Sequence, residues 1–305
     1  MTPLFAECCL PFQLDNQDMK GRLVRLGPSV DHILKTHNYP IAISRQLGKA
    51  LAMAGLLGSM MKFNGILTIQ VRAEGTMPLL VSDFATDGSS NSGVLRGYAQ
   101  FDPEIAVADD ATLSDLVEKA YMVITIDQGQ YTDRYQGIVE LNGENLSHGA
   151  ENYFQSSEQL PSAVHLSCDQ DKDGNWTAGG IMIQHLAVNT EAQQKKNIDE
   201  ESGFPEDENW NRAKILMSSL KDEELLDQAL SLQDVLFRLY HEDGVRVFEE
   251  SSMTNGCRCS EAKLRSVLNN FDPADLKDMA ENGIIKMVCE FCKTEHRFEL
   301  NKLMN

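Results

Sequence analysis

An α+β fold in three parts is predicted for this 305-residue chain on three observations. Strand-like runs on short Gly- and Asn-containing connections fill most of residues 1–188. From 189 to 250 the chain turns acidic and helical. Residues 251–305 are charge-balanced and gather four of the seven cysteines. The expected units are therefore an N-terminal domain with helices (1–188), an acidic helical linker (189–250) and a small C-terminal four-cysteine domain (251–305). The sheet of the first is expected to be antiparallel, because consecutive strands on short turns pair that way.

In the N-terminal part, "PIAISRQLGKALAMAGLLGSMMK" (40–62) places Leu47, Leu51, Ala54 and Leu57 at helical spacing, which predicts a core helix. Strands are predicted over 65–75, 78–86, 93–100, 121–129 and 134–143, separated by Gly, Asn and Asp clusters of the kind hairpin turns need. A helix near 149–161 and two further strands, "AVHLSCDQ" and "AGGIMIQHL", complete it. "AGG" (178–180) is too short for a phosphate loop and marks a close backbone approach.

Beyond residue 188, the stretch 189–210 is polar and broken by Gly203 and Pro205. Residues 186–250 carry 16 acidic and 7 basic side chains. Yet "NRAKILMSSL", "DEELLDQALSL" and "QDVLFRLYHE" set apolar residues at helical spacing, with Asp222 as a cap for the second. Helices this short are marginal in isolation and require a neighbour.

In the last part, Ser260 is expected to cap a helix over 261–268. Asp272 and Pro273 start a second helix, which Gly283 ends. "IIKMV" and "EHRFEL" are two strands, with Cys289 and Cys292 in the turn between them.

The net charge of −19 argues against nucleic-acid or anionic-membrane surfaces, which need clustered Lys and Arg. No apolar run approaches the ~20 residues that span a bilayer. The start lacks a basic n-region and carries Glu7, so no signal peptide is expected and a cytoplasmic location follows. No nucleophile elbow, Walker loop, dinucleotide fingerprint or H-E-x-x-H motif is present, and the chain is not expected to be an enzyme.

Cys257 and Cys259 form a C-x-C, Cys289 and Cys292 a C-x-x-C. In a reducing cytosol such pairs are metal ligands or redox centres more often than structural disulfides. Two pairs supply the four ligands of a tetrahedral zinc site. About 55 residues bury too little surface to fold well alone. Structural zinc contributes roughly 10–16 kcal/mol of apparent binding energy, as much as the ~5–15 kcal/mol stability of a whole domain. Arg258 and Lys293, each beside a ligand, would offset the thiolate charge. Spacing alone leaves open a permanently reduced structural zinc module, a redox-responsive zinc site and a thiol oxidoreductase pair at Cys289 and Cys292. The close C-x-C favours thiols able to meet once the metal leaves. His296 is expected to be a strand residue rather than a ligand, Cys168 a small buried hydrophobe, and Cys8 and Cys9 carry no assigned role.

These features in this order, with "RYQGIVEL", "YFQSSEQLP", "AGGIMIQ", "EELL" and "VLFRLYHEDGVRVFE", resemble the redox-regulated 33-kilodalton heat-shock chaperone family over nearly the whole chain. The stretch 189–205 and the pair Cys8 and Cys9 lie outside the shared pattern. The resemblance implies a holdase that works without ATP. In its reduced, inactive state Cys257, Cys259, Cys289 and Cys292 hold one Zn²⁺. Oxidation joins Cys257 with Cys259 and Cys289 with Cys292, zinc is released, the C-terminal domain unfolds and the linker loses its support. The activated form is implied to be a homodimer, the N-terminal domain to carry dimerisation and client binding, and the partners to be unfolding proteins.

Overall fold

The computed structural model describes residues 7–15, 18–86, 88, 92–129, 134–141, 145–186 and 208–303. All but the last three residues of the polar stretch expected over 189–210, and the last two residues of the strand expected over 134–143, lie outside them; 208–210 open a helix. The chain opens with β1 (Cys8–Leu14), β2 (Met19–Leu26), α1 (Pro28–His37) and α2 (Ile41–Gly58). It continues through β3 (Gly65–Glu74), β4 (Leu79–Thr86), β5 (Ser92–Gln100), α3 (Leu113–Leu116), β6 (Glu118–Asp127) and β7 (Tyr135–Leu141). Next come α4 (Leu146–Tyr153), prolonged by a π-helical turn over Phe154–Glu158, then β8 (Ser162–Gln170) and β9 (Trp176–His185).

Among the described residues these strands belong to one sheet, ordered β7-β6-β3-β4-β5-β11-β1-β2-β9-β8. Two of its members come from far along the chain. β10 (Val245–Val247) and β11 (Ser251–Asn255) return after the helical segment, antiparallel to β1, and β11 also pairs parallel with β5. Ser251–Asn255, within the range read from sequence as C-terminal, thus makes its backbone hydrogen bonds inside the large sheet. Pro11 falls between the β1 residues paired with β11 and those paired with β10, where a strand tolerates a missing N–H.

The sheet wraps α2, most of whose residues are buried, in the main core. α4 ties the two edge strands together. Tyr153 packs where a Cβ on Gly137 of β7 would lie 2.2 Å from its ring. Glu151 accepts a hydrogen bond from the Val164 N–H of β8 at 2.7 Å.

The opposite face of β1, β2, β9 and β8 is covered by α5 (Glu208–Ser218), α6 (Asp222–Leu226) and α7 (Leu232–Tyr240). Strand alternation makes this second core. Leu10, Phe12, Leu23, Ile181 and Ile183 meet Ala213, Leu225, Val235, Leu236 and Tyr240, while Cys9, Val24, Ala178 and Met182 face α2. Ser231 caps α7 by accepting from the Asp234 N–H. The expected Asp222 cap is corrected: Lys221 holds the cap position, Asp222 is the first helical residue, and its carboxylate meets His165 Nε2 at 2.8 Å. The helix over "DEELLDQALSL" is also shorter than expected, ending at Leu226 because Asp227 is extended.

Past β11 lie α8 (Glu261–Leu268), α9 (Pro273–Met279), β12 (Ile284–Val288), β13 (Glu295–Glu299) and α10 (Leu300–Leu303). Ser260 caps α8, as expected, through the Lys263 N–H. α9 stops four residues before Gly283. Asn282 and Gly283, both at positive φ, instead form a two-residue turn closed by reciprocal Glu281–Ile284 hydrogen bonds of 3.0 Å. The core here is Leu268, Leu276, Ile285 and Phe298 with partly buried neighbours, much smaller than the other two.

Candidate metal centre

The four cysteines expected to act together do meet. Cys257 and Cys259 follow β11 directly, and Cys289 and Cys292 occupy the turn from β12 to β13. That turn is closed by Lys293 N–H to the Cys289 carbonyl (2.8 Å) and Cys289 N–H to the Thr294 carbonyl (3.0 Å), with Lys293 left-handed at φ 54°. The four Sγ atoms lie within 4.8 Å of one another. Two separations across the pairs are Cys257–Cys289 at 3.6 Å and Cys259–Cys292 at 3.5 Å. A tetrahedral site with Zn–S near 2.3 Å requires S···S edges of about 3.8 Å, so the donor set and its spacing fit a four-coordinate thiophilic metal. All seven cysteines are free thiols.

The electrostatics are uneven. Burial pushes the Cys292 thiol up, but hydrogen bonds from the Thr294 side chain and backbone and from Cys259 outweigh it and hold the pKa down at about 6. Cys259 is pushed up by burial and then by the neighbouring sulfurs. Cys289 is raised by burial, against hydrogen bonds from the Cys292 and Phe291 backbone. One sulfur is thus ready to be a thiolate, and further negative charge resists forming beside it. A bound dication would remove that repulsion and hold all four deprotonated.

Of the two cations expected to offset this charge, Arg258 stays near enough to Cys257 to interact with its charge, but the direct partners of both lie elsewhere. Lys293 pairs with Glu290 at 2.8 Å. Arg258, inside the C-x-C, reaches the large sheet and donates from Nη2 to Asp83 Oδ2 at 2.6 Å. Asp83, buried on β4, also receives Arg96 at 2.7 Å and Thr68 Oγ1 at 2.7 Å. Phe291, inside the C-x-x-C, docks on the same place. Its ring lies 3.7 Å beneath the Arg96 guanidinium and 4.8 Å from Tyr98, and its carbonyl sits 3.1 Å from His37 Nε2. The residues between the ligands of each pair therefore fasten the module to the N-terminal sheet, a role their spacing gave no sign of.

His296 is a half-buried residue of β13 opposite Met287 and is not among the four clustered ligands. Cys168 packs in the main core, where a Cβ on Gly48 would lie 2.1 Å from its sulfur. Cys8 and Cys9 face opposite sides of the sheet. Cys8 donates to Glu250 at 2.8 Å, and burial pushes the Cys9 thiol up to about 11. The close approach expected at 178–180 is present, since a Cβ on Gly179 would fall 2.8 Å from Leu225.

No helix among the described residues is long and apolar enough to cross a membrane. A family model described as Hsp33 protein matches residues 7–299. A protein of Caulobacter vibrioides described as a 33 kDa chaperonin is 36% identical over 297 residues, covering 94% of this chain and 93% of the relative. One of the same description from Pseudomonas fluorescens is 35% identical over 292 residues, covering 94% and 89%. The crystal structure of the 33 kDa chaperonin (heat shock protein 33 homolog) of Thermotoga maritima superposes with a TM-score of 0.79 over 98% of both chains. At 22% identity it shares the fold.

Proposed function

The chain belongs to the Hsp33 chaperone family, and from that premise we propose that it is a redox-switched holdase, binding unfolding proteins without ATP. The observation that carries this reading is the juxtaposition of a four-thiol cluster with the residues that dock its module, Arg258 and Phe291. In this reading Cys257, Cys259, Cys289 and Cys292 hold one Zn²⁺ in the resting state, which supplies charge neutralisation and a cross-link for a module with a four-residue core. A peroxide takes two electrons from each pair. A thiolate attacks the O–O bond and hydroxide leaves, then the second thiolate attacks the sulfur of the resulting sulfenic acid, forming the S–S bond as the S–O bond breaks and a second hydroxide leaves. Two disulfides, Cys257 with Cys259 and Cys289 with Cys292, consume four thiolates and two peroxides and leave no ligand for the metal. Arg258 and Phe291 then lose the geometry that places them on Asp83 and Arg96, and the acidic linker is in turn freed from the sheet face it covers.

The proposed division of labour is an N-terminal domain over 1–188 for clients and dimerisation, a metastable linker over 189–250 and a switch domain over 251–305. The proposed setting is the cytoplasm, with neither nucleic acid nor membrane as partner. The C-x-x-C lies in a hairpin turn rather than at a helix start, which favours a switch over a catalytic dithiol.

The test compares suppression of aggregation of a heated client by reduced, zinc-loaded protein and by peroxide-treated protein. Zinc release and free thiols are counted in parallel, and disulfides are mapped by mass spectrometry. Activity only after loss of one zinc and four thiols is expected. Equal activity in both states would sink the switch.

A further inference from the structure

Lys20, Arg22 and Lys62 gather three positive charges in a chain whose net charge is −19. Lys20 and Arg22 are two residues apart on β2, on the side of the sheet that Val24 and α2 occupy. Lys62 lies four residues past the end of α2. Burial first, then Arg22 and Lys62, holds the Lys20 ammonium below its usual range. Burial lowers Arg22 as well, with Cys9 acting in the opposite sense. No carboxylate among the described residues forms an ion pair with any of the three. Asp15, at the end of the neighbouring strand, is already bound to Arg246 at 3.1 Å. The Arg22 Nε–H is buried and has no hydrogen-bond partner.

A structural role at the end of α2 does not account for these cations. Positive charge is favoured at helix C-termini, where the last carbonyls lack intrahelical donors. Here all four carbonyls are met without them. Gly55 accepts from the Ser59 N–H at 3.1 Å, Leu56 from Ser59 Oγ at 2.8 Å, Leu57 from the Met60 N–H at 3.1 Å and Gly58 from the Met61 N–H at 3.0 Å. A buried donor without an acceptor is costly, and repulsion between like charges adds to the cost. An anion with several oxygens relieves both. A guanidinium fork beside ammonium groups is the donor set that phosphate recognition uses.

Lys62 also lines a cavity of about 340 Å³ between the end of α2 and the strands β1, β4, β5 and β11. Pro11, opposite Arg22 in the ladder, forms part of its wall, so the cavity adjoins the cluster. The wall carries the hydroxyls of Ser59, Thr86, Ser92 and Ser251, and one carboxylate, Glu249. Hydroxyls donate to oxyanion oxygens, and the space exceeds what one phosphate fills. Glu249 opposes negative charge within it and leaves the cluster as the anchoring end.

We propose that Lys20, Arg22 and Lys62 form an oxyanion-binding site. Its ligand is a phosphate group, free or at the end of a linear phosphate chain that continues into the hydroxyl-lined cavity. The site goes beyond the cysteine switch and stands whether or not that switch operates, since its side chains lie on the α2 side of the sheet and none is a metal ligand.

The test is equilibrium dialysis of radiolabelled inorganic phosphate and of tripolyphosphate against the reduced full chain. The NMR signal of the Arg22 Nε–H locates the bound anion and is expected to shift on saturation. Arg22→Gln is expected to weaken binding at least tenfold, and Lys62→Gln several-fold. Glu249→Gln is expected to tighten tripolyphosphate several-fold, because the opposing charge is removed. Lys119→Gln, which removes a cation paired with Glu74 on another strand, is expected to leave affinity unchanged. Equal affinity for the two probes assigns the site to free phosphate. Affinity at least tenfold higher for tripolyphosphate assigns it to a phosphate chain. Failure of both probes to bind overturns the site, as does affinity within twofold of wild type for both Arg22→Gln and Lys62→Gln. If Arg22→Gln fails to fold, Lys62→Gln and Glu249→Gln, both at exposed positions, decide by the same twofold limit.

Discussion

The contact of Arg258 with Asp83 couples the cysteine cluster to the sheet, and its strength can be measured without altering a cysteine. Asp83→Asn keeps the shape of the acceptor and removes its charge. Asp83 is 3% exposed and holds Arg96, Thr68 and Arg258 at once. A hydrogen bond between charged partners is worth about 1.5–3 kcal/mol. The Arg258 side chain keeps 23% of its exposure, so the lower half of that range applies. About 1.5–2 kcal/mol corresponds to a roughly 10–30-fold shift in the docking equilibrium. Asp83→Asn also disturbs Arg96, so the shared term is isolated by a double-mutant cycle with Arg258→Gln. Fluorotyrosine NMR supplies the readout. The Tyr98 ring, 4.8 Å from Phe291, reports docked and free populations in reduced, zinc-loaded protein, with Tyr98→Phe giving the assignment. A coupling of ~1.5 kcal/mol or more is expected. A coupling below ~0.5 kcal/mol would refute the reasoning that this pair transmits the state of the cluster.

Gly179→Ala would place a Cβ 2.8 Å from Leu225 Cγ and 3.3 Å from its carbonyl oxygen. Overpacking of this kind costs ~1–3 kcal/mol, and faster hydrogen exchange over 222–232 with raised client binding by the reduced chain is expected. Chelating zinc from reduced protein should abolish exchange protection in β12 and β13 while leaving β2 and β9 protected, since the module buries only a four-residue core. The hydrogen bond from His165 holds the Asp222 carboxyl below its usual range. A depressed carboxylate contributes above its unfolded pKa of about 3.9 and loses that contribution as pH falls through the folded value. Protection factors over 222–232, taken relative to intrinsic exchange at each pH, should therefore fall below about pH 4, and Asp222→Asn should remove that dependence.

Strands β3 to β7 and helix α2 were legible because one pattern governed each, alternation on a sheet or helical spacing in a long apolar run, whereas β8 and β9, covered on both faces, were legible as apolar runs bounded by turn signals. The cysteine cluster was legible because turn geometry brings a C-x-x-C together locally. β1 and β2 were not. Both of their faces are buried, one by α2 and one by the linker, so alternation is blurred, and Pro11 reads as a strand breaker. Helix α1 carried its own signals, Pro28 at the first position and Val30, Ile33 and Leu34 at helical spacing. Its N-terminal N–H groups are capped remotely, Glu7 Oε1 accepting from Gly27 at 2.8 Å and Ser29 at 2.7 Å. β11 offers one buried side chain, Met253, and pairs with β5 across some 160 residues of chain, a contact no local pattern encodes. Arg258 and Phe291 belong to the same class, since their importance lies in partners supplied by tertiary structure.

The return of β10 and β11 to the large sheet has a mechanical consequence. The segment carrying α5, α6 and α7 leaves the sheet after β9 and re-enters it at β10, so both of its ends are anchored in one scaffold. It can come away only as a loop and never as a tail. The entropy of closing a loop grows only as the logarithm of its length, so helices released by the proposed switch would remain at high local concentration over the face they left. Any occupant of that face competes continuously with a tethered rival. Gly256 N–H bonds the Leu95 carbonyl at 3.0 Å directly before Cys257, so the first ligand pair hangs from the sheet by the same mooring. On the proposed switch, re-reduction by an external reductant would leave the first ligand pair beside the sheet, where metal from solution could be recaptured without a search for half of its ligands.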